Sequence, residues 1–297
     1  MFYTGIDLHK KTSYLTTVDE SGSVLKQQNI RNRPINFQNY FASISGTHKA
    51  TVETTGSWYW LADLCQTLSI ELVLAHAKFV KAIAYAKVKT DKVDSHILAQ
   101  LLRMDFIPKA HQIDPAKREL RDLMRTRLRL VHKRTSTLNS MCRILEKFNL
   151  DNPDELSDTY KFAYESFQIQ EQLLQSQIKQ LKQSLYPHLI PDDNIQHMIW
   201  IPGIGLINAF TIYLEIGNIE RFPTENHFFS YCRLVPGAAN SANKQQHKSG
   251  NKDGNKYLKI VFTDAAVHAV QYFPIIKKFY QSKLRKKSKL IARNIVA

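Results

Sequence analysis

The order of short apolar stretches in the first third of the chain is the strongest constraint on its fold. FYTGIDL, from Phe2 to Leu8, is a single apolar run. SYLTTVDE alternates, ESGS reads as a turn, and VLKQQNI alternates again, so the three stretches predict strands, the last two joined as a hairpin. NRPINFQNYFASIS then has helical spacing, KATVET reads as a buried strand, WYWLADLCQTL as a helix and IELVLAH as another strand. HAKFVKAIAYAK and DSHILAQLLRM follow as helices. Three strands, helix, strand, helix, strand and helices predict an α/β domain over residues 1–112.

From Pro115 to Leu150 the pattern is helical and carries ten Lys and Arg, Arg125 and Arg129 among them, against three acids. Asn152-Pro153 interrupts it, a second helical pattern covers residues 155–186, and Pro187 ends that. Two such segments predict a helical hairpin or antiparallel coiled coil, a linker and oligomerisation region over residues 113–193. Its basic first helix fits a polyanion contact, and a solvated charged face fits equally well. Residues 194–297 predict a third, mainly helical domain. In it IPGIGLINAFTIYLEIG is a Gly-punctuated turn feeding an apolar helix, and PGAANSANKQQHKSGNKDGN reads as polar loop. YLKIVFTDAAVHAVQYF resumes helical periodicity, and the stretch from Lys277 to Arg293 carries eight bases and no acid.

Across 297 residues, 41 Lys and Arg stand against 26 Asp and Glu, a formal charge of +15. Such a balance points to a polyanionic partner, nucleic acid first and a membrane surface second. A hydrophobic content of 43% excludes a disordered tail. No apolar run approaches the ~20 residues of a membrane-spanning helix, and the opening MFYTGIDLHKK is interrupted by polar residues too soon for a signal peptide. Cys65, Cys142 and Cys232 are scattered with no CxxC pair. The expectation is a cytoplasmic, reduced protein without a structural zinc.

Four acids of the first domain carry the chemistry. Asp7 ends the first predicted strand, Glu53 ends KATVE, and Asp91 and Asp94 open the helix of KTDKVDSHILAQLL, three residues apart and so on one face. A ribonuclease-H-like fold brings such positions together: an antiparallel three-stranded start, an acid on the first strand, an acid on the fourth, acids on a final helix. Clustered carboxylates disfavour one another's ionisation unless cations lie between them. Mg²⁺ takes carboxylate and water oxygens, with phosphate completing its shell, and two ions about 4 Å apart serve phosphoryl transfer. Taken singly, each acid has a plainer reading: Thr90 or Asp91 as a helix N-cap, Asp7 closing a turn, Glu53 paired with a surface lysine. In PGIG, glycines expose backbone N–H groups ahead of a helix N-terminus, which suits a phosphate; a plain helix-connecting turn fits as well. Trp200, Phe210 and Tyr213 nearby read as core.

GIDLHK, VETTG and KTDKVDSHILAQLL closely resemble the DEDD motif of a family of insertion-sequence transposases related to the Piv/MooV DNA invertases. The resemblance implies a RuvC-like, Mg²⁺-dependent site of one or two ions on Asp7, Glu53, Asp91 and Asp94. IPGIGLINAFTIYLEIG with Asn218 to Phe222 resembles the family's helix-hairpin-helix-like element, and LVPGAANS and KDGNKYLK its segment around a nucleophilic serine. Five residues beyond the proline of LVP, that serine falls on Ser241; Ser249-Gly250 is the shifted alternative, set against it by its closeness to KDGN. The implied nucleic-acid contacts are Pro202, Gly203, Ile204, Gly205, Lys252, Asn255 and Lys256, with Arg125 and Arg129 of the basic helix. The resemblance further implies a DNA transposase that forms a covalent phosphoserine–DNA intermediate. Its partners would be donor and target DNA, a structured guide (bridge) RNA and further copies of the chain as a dimer or tetramer, with no membrane. A Piv-like site-specific invertase and a non-catalytic nucleic-acid-binding protein are the alternatives.

Overall fold

The computed structural model describes residues 1–54, 58–84, 90–189, 193–235 and 253–297, and the backbone of 237–241 and 244–248. Met1–Gln112 and Ile113–Ala297 are two compact units.

The first unit has the expected element order. Strands β1 (Phe2–Leu8), β2 (Thr12–Val18) and β3 (Val24–Arg31) precede helix α1 (Pro34–Ala42). β4 (His48–Glu53), α2 (Tyr59–Thr67), β5 (Glu71–Ala75), α3 (Ala77–Ile83) and α4 (Asp91–Arg103) follow. The sheet runs β3-β2-β1-β4-β5; β1–β2 and β2–β3 are antiparallel, β1–β4 and β4–β5 parallel. The mixed order follows from the connections. A turn joins β2 to β3, whereas the parallel pairs need helical crossovers.

Strand alternation sorts the side chains into two layers. Ile6, Leu15, Ala50, Val52 and Leu74 pack with Phe37, Tyr40 and Leu61 of α1 and α2. Val73 and Ala75 face the other way, with Val80 of α3 and Leu98, Leu101 and Leu102 of α4. Buried hydroxyls pin each layer. Thr4 and Thr17 lie 2.8 Å apart, Thr17 and the Tyr40 phenol 2.9 Å, on the α1 side. Thr16 and Ser95 of α4 lie 2.7 Å apart on the opposite side. Burial pushes the Tyr40 phenol up to about 12, so it stays a neutral partner.

In the second unit α5 (Pro115–Lys147) and α6 (Asp158–Leu185) pack together. Arg134 pairs with Glu171 at 2.6 Å, and the Lys147 ammonium donates to the Tyr160 hydroxyl at 3.0 Å; residues later in α5 meet residues earlier in α6, so the two are antiparallel. α7 (Asp193–Ile199), α8 (Leu206–Ile216) and α9 (Glu225–Tyr231) follow, then strands β6 (Gly237–Ser241) and β7 (Lys244–Lys248). α10 (Lys256–Tyr272), α11 (Pro274–Leu284) and α12 (Lys289–Val296) complete it. One expectation changes. The stretch read as polar loop contains the antiparallel β6–β7 hairpin, held by backbone pairing that its Ala, Asn, Gln and Lys residues do not advertise. Contacts also tie the first long helix to the helices that follow it within Ile113–Ala297. Met124 of α5 lies in one core with Phe210, Leu214 and Leu258, and the Lys117 ammonium donates to the Tyr213 hydroxyl at 2.8 Å.

Gly5 sets the seating of α4. A Cβ there would run into the backbone of Ser95 and Ala99, so only glycine lets the helix lie against β1. Gly5→Ala should therefore cost about 1–3 kcal/mol by overpacking, read as a lowered urea midpoint. An unchanged midpoint would mean that α4 does not approach β1 this closely.

Candidate functional site

Register and alternation bring the four acids together. Ile6 pairs with Val52 across the parallel β1–β4 ladder, and both face the α1 and α2 core. Asp7 and Glu53 are the next residues on the two strands, so alternation turns them to the α4 side. On α4 the buried stripe of Ser95, Leu98 and Leu102 is continued backward by Asp91 and Asp94, at the four-residue spacing of one helix face. All four acids line one cavity of about 630 Å³ at the carboxyl ends of the strands.

The helix cap falls on Thr90 and not on Asp91. Thr90 is the N-cap, its hydroxyl accepting from the Val93 N–H at 3.3 Å, so Asp91 and Asp94 occupy the first turn without capping it. There the positive end of the helix dipole favours carboxylates. Asp7 Oδ2 lies 3.2 Å and Asp91 Oδ1 3.3 Å from Nε2 of His9. One donor atom from each of Asp7, His9 and Asp91 falls within 4.8 Å of the others, a spacing that suits a shared cation. Glu53 and Asp94 line the same cavity beyond that trio. Its α3 wall carries the exposed lysines Lys78 and Lys81. His9, Lys78 and Lys81 are absent from the sequence-derived site. The only available signal was the placement of His9 two residues after Asp7, inside GIDLHK.

In the second unit the candidate nucleic-acid contacts divide. Arg125 makes a two-pronged pair with the Glu215 carboxylate, at 2.6 and 2.7 Å, and Glu215 is only 1% exposed. Asn255 donates to Glu215 at 2.7 Å and caps α10, accepting from Tyr257 and Leu258 N–H. The Arg125 guanidinium thus faces the charge of a buried carboxylate, and the Asn255 amide donates to it. Ile204 lies in the core, and Gly203, at φ +87°, takes a left-handed turn whose Cβ position is filled by the Ala265 backbone of α10. These two residues pack the turn onto α10. Gly205 has open space before it, and Pro202 and Gly205 line a cavity of about 750 Å³ with Arg127, Asp264 and His268. Arg129 and Lys256 are exposed. Of the aromatics read as core, Phe210 is buried, but Trp200 is 75% exposed at the end of α7. Ser241 ends β6, opposite Lys244. Ser249 and Lys252 lie outside the described residues.

Cys65 and Cys232 are buried, which pushes both thiols up to about 12 and leaves them unsuited as thiolate ligands or nucleophiles. Among the described residues, no helix is long and apolar enough to cross a membrane.

Residues 4–150, which contain the four acids, match a family model described as a transposase, of the DEDD type named for IS110. Residues 196–281, which contain Ser241, match the model of the transposase IS116/IS110/IS902 family. The transposase for insertion sequence element IS1328 of Yersinia enterocolitica is 22% identical over 280 residues, 88% of this chain and 82% of that protein. The transposase for insertion sequence element IS1111A of Coxiella burnetii is 21% identical over 280 residues, 88% of this chain and 76% of that protein.

Arg125→Ala leaves Glu215 buried without its charge partner, a change that costs about 3–5 kcal/mol. The lower end is expected because Arg125 is 24% exposed. Urea unfolding should show that loss; a stable variant with weakened DNA binding would return Arg125 to the nucleic-acid surface.

Proposed function

The chain belongs to the IS116/IS110/IS902 family of insertion-sequence transposases, and from that premise we propose that it cuts and rejoins DNA with a divalent-cation site on Asp7, Glu53, Asp91 and Asp94. The observation that carries the reading is the convergence of four carboxylates from two strand ends and one helix turn on a single cavity. The strand order β3-β2-β1-β4-β5 with α4 against β1 supports a ribonuclease-H-like, RuvC-like domain over residues 1–112. Residues 113–193 then serve as helical arm and oligomerisation region, and residues 194–297 as the transposase domain that carries the serine.

The donor set fits Mg²⁺. Carboxylates are hard oxygen ligands, and a cation of this class keeps sites open for water and phosphate. Bound there, one or two ions would polarise the scissile phosphate and stabilise the oxygens that attack and leave. The chain's own residues do the rest. Asp7 and Glu53, fixed by the β1–β4 register, hold one wall, and Asp91 and Asp94 hold the other on a helix turn whose dipole steadies their charge. Lys78 and Lys81 offer positive charge to the backbone of the entering strand.

Ser241 is the nucleophile in this reading. Its hydroxyl loses a proton as its oxygen bonds phosphorus, and the ester bond to the departing strand breaks, that strand's oxygen gaining a proton. A serine hydroxyl needs such activation at neutral pH. Reversal by a different strand end rejoins DNA without loss of phosphoester energy. Exposed Arg129 and Lys256, the Pro202–Gly205 turn and the bases from Lys277 to Arg293 form the phosphate-facing surface. Sequence choice falls to a structured guide RNA pairing with donor and target, while the protein, as a dimer or tetramer, holds backbone and shape.

Asp94→Asn should lower strand exchange at least about 100-fold, the scale of losing a transition-state contact. The metal-free protein should melt at the same or a higher temperature because repulsion is relieved. Marked destabilisation would give Asp94 a structural role instead. With labelled DNA on a denaturing gel, Ser241→Ala should abolish the covalent protein–DNA adduct and Ser249→Ala should keep it; an adduct that survives Ser241→Ala removes that serine from the mechanism.

A further inference from the structure

We infer that His9 is itself a ligand of the cation site and tilts its ion preference from Mg²⁺ toward Mn²⁺. The inference rests on the proposed acid site and adds to it a residue that the four-acid motif does not contain.

The backbone of His9 is held on both sides. Its N–H donates to the Thr12 carbonyl at 3.0 Å, and its carbonyl accepts from the Asn32 side-chain amide at 2.7 Å. Asn32 is in turn fixed by the Ser13 hydroxyl, which donates to its Oδ1 at 2.6 Å, and Ser13 is fully buried in β2. A turn anchored in this way presents the imidazole between the end of β1 and the first turn of α4. Its Nε2 lies 3.2 Å from Asp7 Oδ2 and 3.3 Å from Asp91 Oδ1. Adjacent donors of an octahedral ion with bonds of about 2.1 Å stand about 3 Å apart. The two nitrogen–oxygen spacings are near that value, and the three donor atoms lie within 4.8 Å of one another, as donors to one ion would.

The donor type decides which ion gains. Carboxylate and water oxygens suit Mg²⁺, Ca²⁺ and Mn²⁺ alike, whereas imidazole nitrogen suits transition metals. Within the trio of Asp7, His9 and Asp91, the histidine is the one nitrogen donor. The rival account makes His9 a bridge between two carboxylates, a ring that must leave when an ion arrives. The two accounts predict opposite effects of removing the ring.

The experiment is calorimetric titration of metal-free, full-length protein with Mn²⁺ and, separately, Mg²⁺, without nucleic acid. Wild type, His9→Ala, His9→Gln and Asp94→Asn are compared. Mn²⁺ spin-echo spectra of wild type and His9→Ala, each labelled with ¹⁵N-histidine, accompany the titration. A ligand His9 predicts that both His9 variants bind Mn²⁺ about 10-fold or more weakly, bind Mg²⁺ as tightly as wild type or more so, and that His9→Ala loses the histidine nitrogen coupling seen in wild type. The Gln variant keeps the reach and polarity of the side chain without the ring, so a matching loss in both variants is not a folding defect. Equal or tighter Mn²⁺ binding by the His9 variants overturns the inference. If Asp94→Asn still weakens binding in that case, the acid site stands and His9 alone is excluded. If wild type binds neither ion, the acid site and the inference fall together.

Discussion

The close seating of α4 on β1 is the contact on which the first unit depends. Gly5 has no Cβ, so the helix backbone at Ser95 and Ala99 reaches the strand. From that contact the rest follows by periodicity. One helical turn before Ser95 stands Asp91, and one turn before Leu98 stands Asp94. Two residues after Gly5 stands Asp7, on the same face of the sheet. The parallel β1–β4 ladder then brings Glu53 alongside. The acids thus come from sequence positions far apart, yet their meeting needs no loop to be placed by chance. Each sits at the end of an element whose middle is buried, the arrangement in which site geometry is held most firmly.

Electrostatics explains why this cluster exists on a chain of charge +15. Four carboxylates on one cavity oppose each other, and local features offset this: the α4 dipole and the lysines on the α3 wall. The second unit handles charge differently. Glu215 is buried, its charge is matched by the forked guanidinium of Arg125, and the amide of Asn255 donates a hydrogen bond to it. In the first unit the acid cluster opens onto a cavity; in the second the acid is closed in by its own partners. The Arg125–Glu215 pair organises a core, where removing one partner leaves an uncompensated buried charge.

Much of the first unit was legible in the sequence because the central strands are short apolar runs buried in mid-strand, bounded by turns and helical spacing. The pairing order of FYTGIDL, SYLTTVDE and VLKQQNI, and the helix that starts at Asp91, follow from period and caps. The β6–β7 hairpin was not legible, since its small and polar residues lack the β-branched and aromatic types that mark strands. Arg125 and Asn255 read as surface groups because their common partner lies 90 and 40 residues away along the chain. His9 was overlooked for a related reason: a histidine between Leu8 and Lys10 has no periodic signature, and what gives it meaning is Asp91, reached only through the fold. Trp200 shows the converse error, an apolar ring beside a core helix that faces outward at the turn after α7.

The central claim is that the four acids exist to hold a divalent cation where DNA is cut. Anomalous diffraction from crystals of the full-length protein grown with Mn²⁺ tests it most directly. The account predicts a strong manganese peak in the cavity between the ends of β1 and β4 and the first turn of α4, bonded to the carboxylates of that cavity. A cavity without manganese, while the ion occupies a site elsewhere on the chain, would contradict it.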